Sequence, residues 1–193
     1  MKKLVIINAC VRQSDSRTLR IAEPIIAELS QRYEVKRYDL PEMEGIVPLT
    51  PALFAQRGRG DIPTWALDAA KAMADADRLL IAAPFWDMSF PAALKAFIEQ
   101  VSLFDITFTD TGKTCKGLCK APKVLYVTTR GMDIATGDPF EQATPYLRAI
   151  GHLWNLGDLT TIAAQNMDYS TPEELESKIA SAVSEGLELA KTW

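Results

Sequence analysis

The chain has 193 residues, 48% of them hydrophobic, a formal net charge of −4 and one histidine. That length and apolar content fill one compact unit over 1–193, while the mild charge and the lack of a Lys/Arg block exclude an electrostatic footprint for nucleic acid. No apolar run is long enough for a membrane span. Met1-Lys2-Lys3 leads straight into a strand pattern without a cleavage site, and three cysteines suit no disulfide framework, so a cytoplasmic protein is expected. Cys115, Cys119 and the distant His152 are too few to hold zinc, and no metal is expected.

Short Val/Ile-rich runs alternate with longer segments of helical period, the pattern of a parallel sheet with crossover helices. Strands are predicted at 3–9, 34–40, 78–83, 123–129 and 159–165. After the first strand, Leu19, Ala22, Ile26 and Leu29 share one helical face, with a kink expected at Pro24. Further helices are predicted at about 64–76, 90–103 and 140–154. A last helix opens on Thr171-Pro172 with Glu174 three residues after Thr171, a capping box, and carries Leu175, Ile179, Val183 and Leu187 on one stripe. The fold class is therefore α/β, a doubly wound five-stranded parallel sheet of order 2-1-3-4-5. Residues 41–63 and 105–122 read as long loops, expected to overhang the carboxyl edge of the sheet or a partner subunit.

Residues 10–18, Cys-Val-Arg-Gln-Ser-Asp-Ser-Arg-Thr, join the first strand to the first helix. Such a turn presents unpaired backbone N–H groups at the positive end of the helix dipole. Here it adds the hydroxyls of Ser14, Ser16 and Thr18 and the charges of Arg12 and Arg17, which suit a phosphate dianion. It contains no glycine, so it is neither a dinucleotide turn nor a Walker loop. The plain alternative is an ordinary helix cap with solvated arginines.

Two further loops end at the same predicted edge. Ala83-Pro84-Phe85-Trp86-Asp87-Met88-Ser89 follows the third strand, with two aromatics and a methionine that would wall a flat ring; otherwise they plug the sheet end. Val127-Thr128-Thr129-Arg130-Gly131-Met132 ends the fourth, where Gly131 lets backbone approach a ligand and positive potential would stabilise negative charge on a reduced ring.

Taken together, Ser-x-Thr in the first turn, Pro-Phe-Trp-Asp-Met-Ser-Phe-Pro-Ala-x-Leu-Lys after the third strand, Ile106-Thr107-Phe108 and Thr129-Arg130-Gly131 resemble the FMN-dependent NAD(P)H:quinone oxidoreductases and azoreductases, of flavodoxin-like fold. The resemblance covers most of the chain. It implies an FMN-binding homodimer that takes hydride from NADH or NADPH and passes it to a quinone, azo or nitroaromatic acceptor in ping-pong order, with no dedicated catalytic side chain. It implies that Cys10, Arg12, Ser16, Arg17 and Thr18 lie on the phosphate side. By the same resemblance Pro84, Phe85, Trp86, Asp87 and Met88 line the ring, and Thr129, Arg130 and Gly131 border its pyrimidine end; Phe108 is placed on the substrate side or, equally, in the core.

Several positions depart from the azoreductase pattern: Cys10 replaces a serine, Asp87 an asparagine, Met132 a second glycine and Ile134 a substrate-side histidine. Asp87 is expected to cap a helix starting near Ser89, His152 to be a partly buried structural residue, and Arg57 and Arg59 to be solvated charges. The alternatives are a flavodoxin-type electron carrier, weakened by the missing Gly-containing turn and acidic face, and a protein that binds FMN without turnover. A phosphoacceptor receiver domain lacks its acidic cluster, since the first and third strands end in Asn8-Ala9 and Ala82-Ala83.

Overall fold

A computed structural model describes residues 1–193. Strands β1 (Lys2–Asn8), β2 (Tyr33–Asp39), β3 (Arg78–Ala82), β6 (Lys123–Thr129) and β7 (Asp158–Ala164) form one parallel sheet in the order β2-β1-β3-β6-β7. This is the predicted 2-1-3-4-5 arrangement once the short strands β4 (Phe108–Asp110) and β5 (Cys115–Gly117) are counted. Every predicted central strand lies within one residue of its observed bounds.

The inner strands β1, β3 and β6 are apolar over most of their length because both sheet faces are covered there, whereas the edge strand β2 carries Glu34, Lys36, Arg37 and Asp39. Leu4, Ile6, Leu80, Ala82, Leu125 and Val127 point to one face, where α1 (Arg17–Ser30) and α6 (Pro172–Thr192) pack. Val5, Ile7, Leu79, Ile81, Val124 and Tyr126 point to the other, against α3 (Thr64–Asp75), α4 (Ala92–Val101) and α5 (Ala143–Trp154). The capping box at Thr171 is present in full, its hydroxyl accepting from Glu174 N and Glu174 accepting from Thr171 N.

The connections depart from expectation. Helix α1 runs unbroken through Pro24. Residues 41–63 contain α2 (Pro51–Gly58), started by Thr50 as cap and Pro51 at the first position. This segment packs on the flank of α4: Gln100 Nε2 donates to Val47 O at 2.6 Å, and Arg57 donates to Glu99 O and Ser102 O. Arg57 is thus a strut between α2 and the last turn of α4, not a solvated charge, because the C-terminal carbonyls of a helix attract a cation. Residues 105–122 hold the β4–β5 hairpin, which sits beside the end of α5. Cys119 N donates to Trp154 O, and a Cβ on Gly117 would lie 2.2 Å from Asn155 N. Since α5 leads into β7, that end is the amino edge of the sheet, away from the predicted ligand edge. His152 on α5 is exposed rather than partly buried.

Candidate functional site

At the carboxyl edge, three loops meet around a cleft of about 140 Å3 lined by Arg12, Ser16, Arg17, Thr18, Pro84, Phe85, Trp86, Thr129, Arg130, Gly131, Met167 and Asp168. Ten of these twelve are residues singled out from sequence. The outer strands β2 and β7 flank a centre where β1 leads to α1 on one face and β3 to α4 on the other, the switch point at which open α/β sheets bind ligands.

The first wall is built by the end of β1. Asn8 Oδ1 accepts Cys10 N at 2.9 Å and so fixes the exit of the strand. A single turn over Gln13–Asp15 follows, and Ser16 caps α1 by accepting Leu19 N at 3.3 Å. The first-turn amides of Arg17 and Thr18 have no partner in the chain. Those amides, with Arg12 and Arg17 beside them, form an anion cradle. Thr18 Oγ1 lies 2.7 Å from Thr129 Oγ1, which clasps this wall to the end of β6.

The second wall is the Pro84–Met88 loop. Phe85 N donates to Thr129 O at 3.0 Å, and Trp86 and Ser89 exchange backbone bonds of 3.2 and 2.8 Å around Asp87 and Met88, both with positive φ. This is a two-residue turn with the mirror-image twist that hairpins favour. Asp87 therefore occupies a turn and caps nothing; α4 begins three residues after Ser89, behind Pro91. Asp87 and Met88 stand outside the cleft lining, while their amides remain without a partner in the chain.

The third wall is Thr129–Gly131. Gly131 has Asp168 directly above it: a Cβ there would lie 2.1 Å from Asp168 Oδ2. Arg130 lies differently from expectation. Its guanidinium is fully buried, donating to Ile134 O at 2.8 Å and Thr136 Oγ1 at 2.9 Å, with Cζ 5.7 Å from the centre of the Phe85 ring. Burial pulls it below the ordinary guanidinium value.

Two further residues from the predicted site lie elsewhere. Cys10 is fully buried under the first turn with Sγ 3.5 Å from Ala82 O, and burial pushes its thiol up to about 12. Phe108, on the hairpin at the far end of α4, packs at a tilt against Phe104, with ring centroids 4.7 Å apart, and does not reach this cleft. Met167 and Asp168 line it without having been anticipated. Asp168 Oδ1 accepts from Arg17 Nη1 at 2.7 Å, a contact between positions 151 apart that no local pattern announces.

The donor set fits a flat, phosphorylated ligand. Unpaired amides gather with Arg12 and Arg17 at the first turn of α1, Phe85 and Trp86 stand along the side, and Gly131 lies under the same Asp168 carboxylate that holds Arg17. No cluster of His, Cys, Asp and Glu suited to a metal ion is present, and no helix is long and apolar enough to cross a membrane.

Comparison with known proteins agrees with this architecture. A family profile described as a flavodoxin-like fold matches residues 2–189. Two curated relatives extend the match: the chain is 33% identical over 203 residues to the FMN-dependent NADH:quinone oxidoreductase 2 of Clostridium acetobutylicum, all of both chains being covered. It is 32% identical over 201 residues to the FMN-dependent NADH:quinone oxidoreductase of Clostridium perfringens, again with full coverage. The chain belongs to the flavodoxin-like fold family and, within it, to that of the FMN-dependent NADH:quinone oxidoreductases. Among solved structures, an azoreductase from Bacillus anthracis superimposes with a TM-score of 0.83 at 18% identity, covering all of both chains. An NAD(P)H:quinone oxidoreductase from Methanothermobacter marburgensis does so with 0.78 at 16%, covering 97% of this chain and 98% of the other. At such identities these two likenesses speak for the fold.

Proposed function

We propose that the protein is an FMN-dependent oxidoreductase that takes hydride from NADH or NADPH and reduces quinones, azo compounds or nitroaromatics. The observation that carries this reading is the meeting of three sequence-distant loops at one switch-point cleft, cationic and rich in free amides at one end, aromatic along its side. FMN, when bound, supplies hydride acceptance and donation at its N5. The residues of this chain bind and orient it. Arg12, Ser16, Arg17 and the first-turn amides of α1 hold the phosphate by charge-assisted hydrogen bonds. Thr18 and Thr129 clasp the phosphate wall to β6, Pro84, Phe85 and Trp86 flank the ring, and Gly131, with Asp168 packed on it, borders the pyrimidine end. Because one open mouth serves both donor and acceptor, they would visit in turn, in ping-pong order.

A homodimer fits the surface. A second, larger groove of about 800 Å3 lies between α2, α4 and α5, with Phe54 and Phe104 on it exposed to 68% and 59%. Apolar patches of this kind mark association sites. Light scattering on the purified protein should give twice the chain mass, and a monomer would remove this part of the proposal.

The decisive experiment is spectroscopic. The purified protein should carry or take up FMN, be bleached anaerobically by NADH or NADPH, and regain its yellow colour on adding a quinone. Failure to take up FMN overturns the proposal. Bleaching by dithionite but by neither nicotinamide would favour an electron carrier.

A further inference from the structure

Behind the cleft lies a pair of charges that flavin binding does not by itself require. Arg130 and Glu141 are both fully buried, with Arg130 Nη2 4.0 Å from Glu141 Oε1. Each is held by other groups: Arg130 by Ile134 O and Thr136 Oγ1, Glu141 by Thr144 N at 2.8 Å. At 4.0 Å the two attract electrostatically but share no hydrogen bond. Arg130 Nε, Glu141 Oε2 and Thr144 Oγ1 make no hydrogen bond at all. A buried pair so incompletely bonded is a poor source of stability, because desolvating two ions outweighs a Coulomb attraction that is not backed by good geometry. Its orientation relative to the cleft offers a different role. Arg130 lines the cleft beside the ring of Phe85, whereas Glu141 stands behind it and contributes nothing to the lining. The next residue, Gln142, donates its backbone N–H to Met88 O at 2.9 Å, which fixes this segment to the Trp86–Ser89 turn.

We infer that Glu141 is a positioning residue that sets how much of the Arg130 charge a bound flavin feels. The inference rests on the flavin reading above. Hydride transfer to FMN adds two electrons and one proton, so the ring gains one negative charge. An arginine, charged under all relevant conditions, would favour that reduced form strongly in a low-dielectric site. A carboxylate fixed behind the guanidinium cancels most of this preference. The ring then remains a ready donor to an acceptor instead of being held in its reduced state.

The test compares dissociation constants of oxidised and reduced FMN for the full-length protein, measured anaerobically, together with the midpoint potential of the bound flavin. E141Q keeps an oxygen for Thr144 N and removes only the charge. It is expected to tighten reduced FMN relative to oxidised by about tenfold, a rise of about 30 mV for a two-electron couple. A ratio within twofold of wild type overturns the inference. Should E141Q not fold, the neutral pair R130Q/E141Q takes its place. It should leave the ratio within twofold of wild type, because both versions present no net charge, whereas a tenfold loosening of reduced FMN would mean that Arg130 acts unopposed and would overturn the role of Glu141. Wild-type protein that binds no FMN overturns the flavin reading itself, an outcome separable from the others.

Discussion

Arg17 Nη1 lies 2.7 Å from Asp168 Oδ1 and 3.3 Å from Met167 O, so the guanidinium at the phosphate end of the cleft is shared with an acidic side chain on the loop after β7. An incoming phosphate would compete with that carboxylate for Arg17 and be repelled by it. D168N should therefore tighten FMN by about fivefold, the equivalent of about 1 kcal/mol for a partly exposed charge. Riboflavin, which lacks the phosphate, should bind the variant as it binds wild type. Equal FMN constants for the two proteins would remove Asp168 from the phosphate site.

Ser16 and Thr18 were both expected to hold phosphate, but their hydroxyls are placed unequally. Ser16 Oγ accepts from Leu19 N, so its proton is free to donate to an anion. Thr18 and Thr129 share one hydrogen bond, which consumes one of their two protons and leaves one for a ligand. S16A should lose the cap as well as a charge-assisted bond. About 1 kcal/mol of stability goes with the cap, and FMN affinity falls about tenfold or more. T18A should weaken FMN less. Calorimetry and titration with FMN and riboflavin separate the effects, and an S16A variant with unchanged FMN affinity would refute the phosphate assignment.

Features governed by neighbours in sequence were legible: the apolar strands, the cap at Thr171 and the three ligand-edge loops each carry their signal within a few residues. Thr50-Pro51 carries the same start signal as Thr171-Pro172, yet the surrounding prolines and glycines of 41–63 read as loop and hide α2. Asp87 is ambiguous in the sequence because aspartate suits both a helix cap and a left-handed turn. Only the backbone exchange between Trp86 and Ser89 distinguishes them. Asp168 and Glu141 left no local trace, since their roles depend on Arg17 and Arg130 reached through tertiary packing. The direction taken by Arg130 was illegible for the same reason: Ile134 and Thr136 capture its guanidinium below the cleft.

The cysteines predict a pH response. Burial raises both Cys10 and Cys119 to about 12, whereas Cys115 is exposed. A thiol reagent at pH 8 should find one rapidly reacting cysteine in the native protein and three after unfolding. In the unfolded chain cysteine ionises near pH 8.5, so between about pH 8.5 and 12 the folded state binds more protons than the unfolded. Stability is then fully present below that window and lost as pH rises through it, by up to about 1.4 kcal/mol per pH unit for each buried thiol. C119A should remove about half of that slope in denaturant melts. Identical slopes for the two proteins would show that the alkaline loss comes from other groups.

Met88 holds φ of +64° at the second position of the Trp86–Ser89 turn, where glycine is the residue best suited to the backbone. A side chain there costs about 1 kcal/mol, partly offset because glycine would add entropy to the unfolded chain. M88G should consequently raise the thermal midpoint of the FMN-free protein by a few degrees, at about 2–4 °C per kcal/mol for a chain of this size. Strain kept at a ligand edge usually serves the ligand. The same substitution should therefore lower quinone turnover, as the turn that presents the free amides of Asp87 and Met88 becomes less rigid. A lower midpoint would mean that the half-exposed Met88 side chain gains more from packing than its backbone loses, and the turn would then be a structural plug at the end of the sheet.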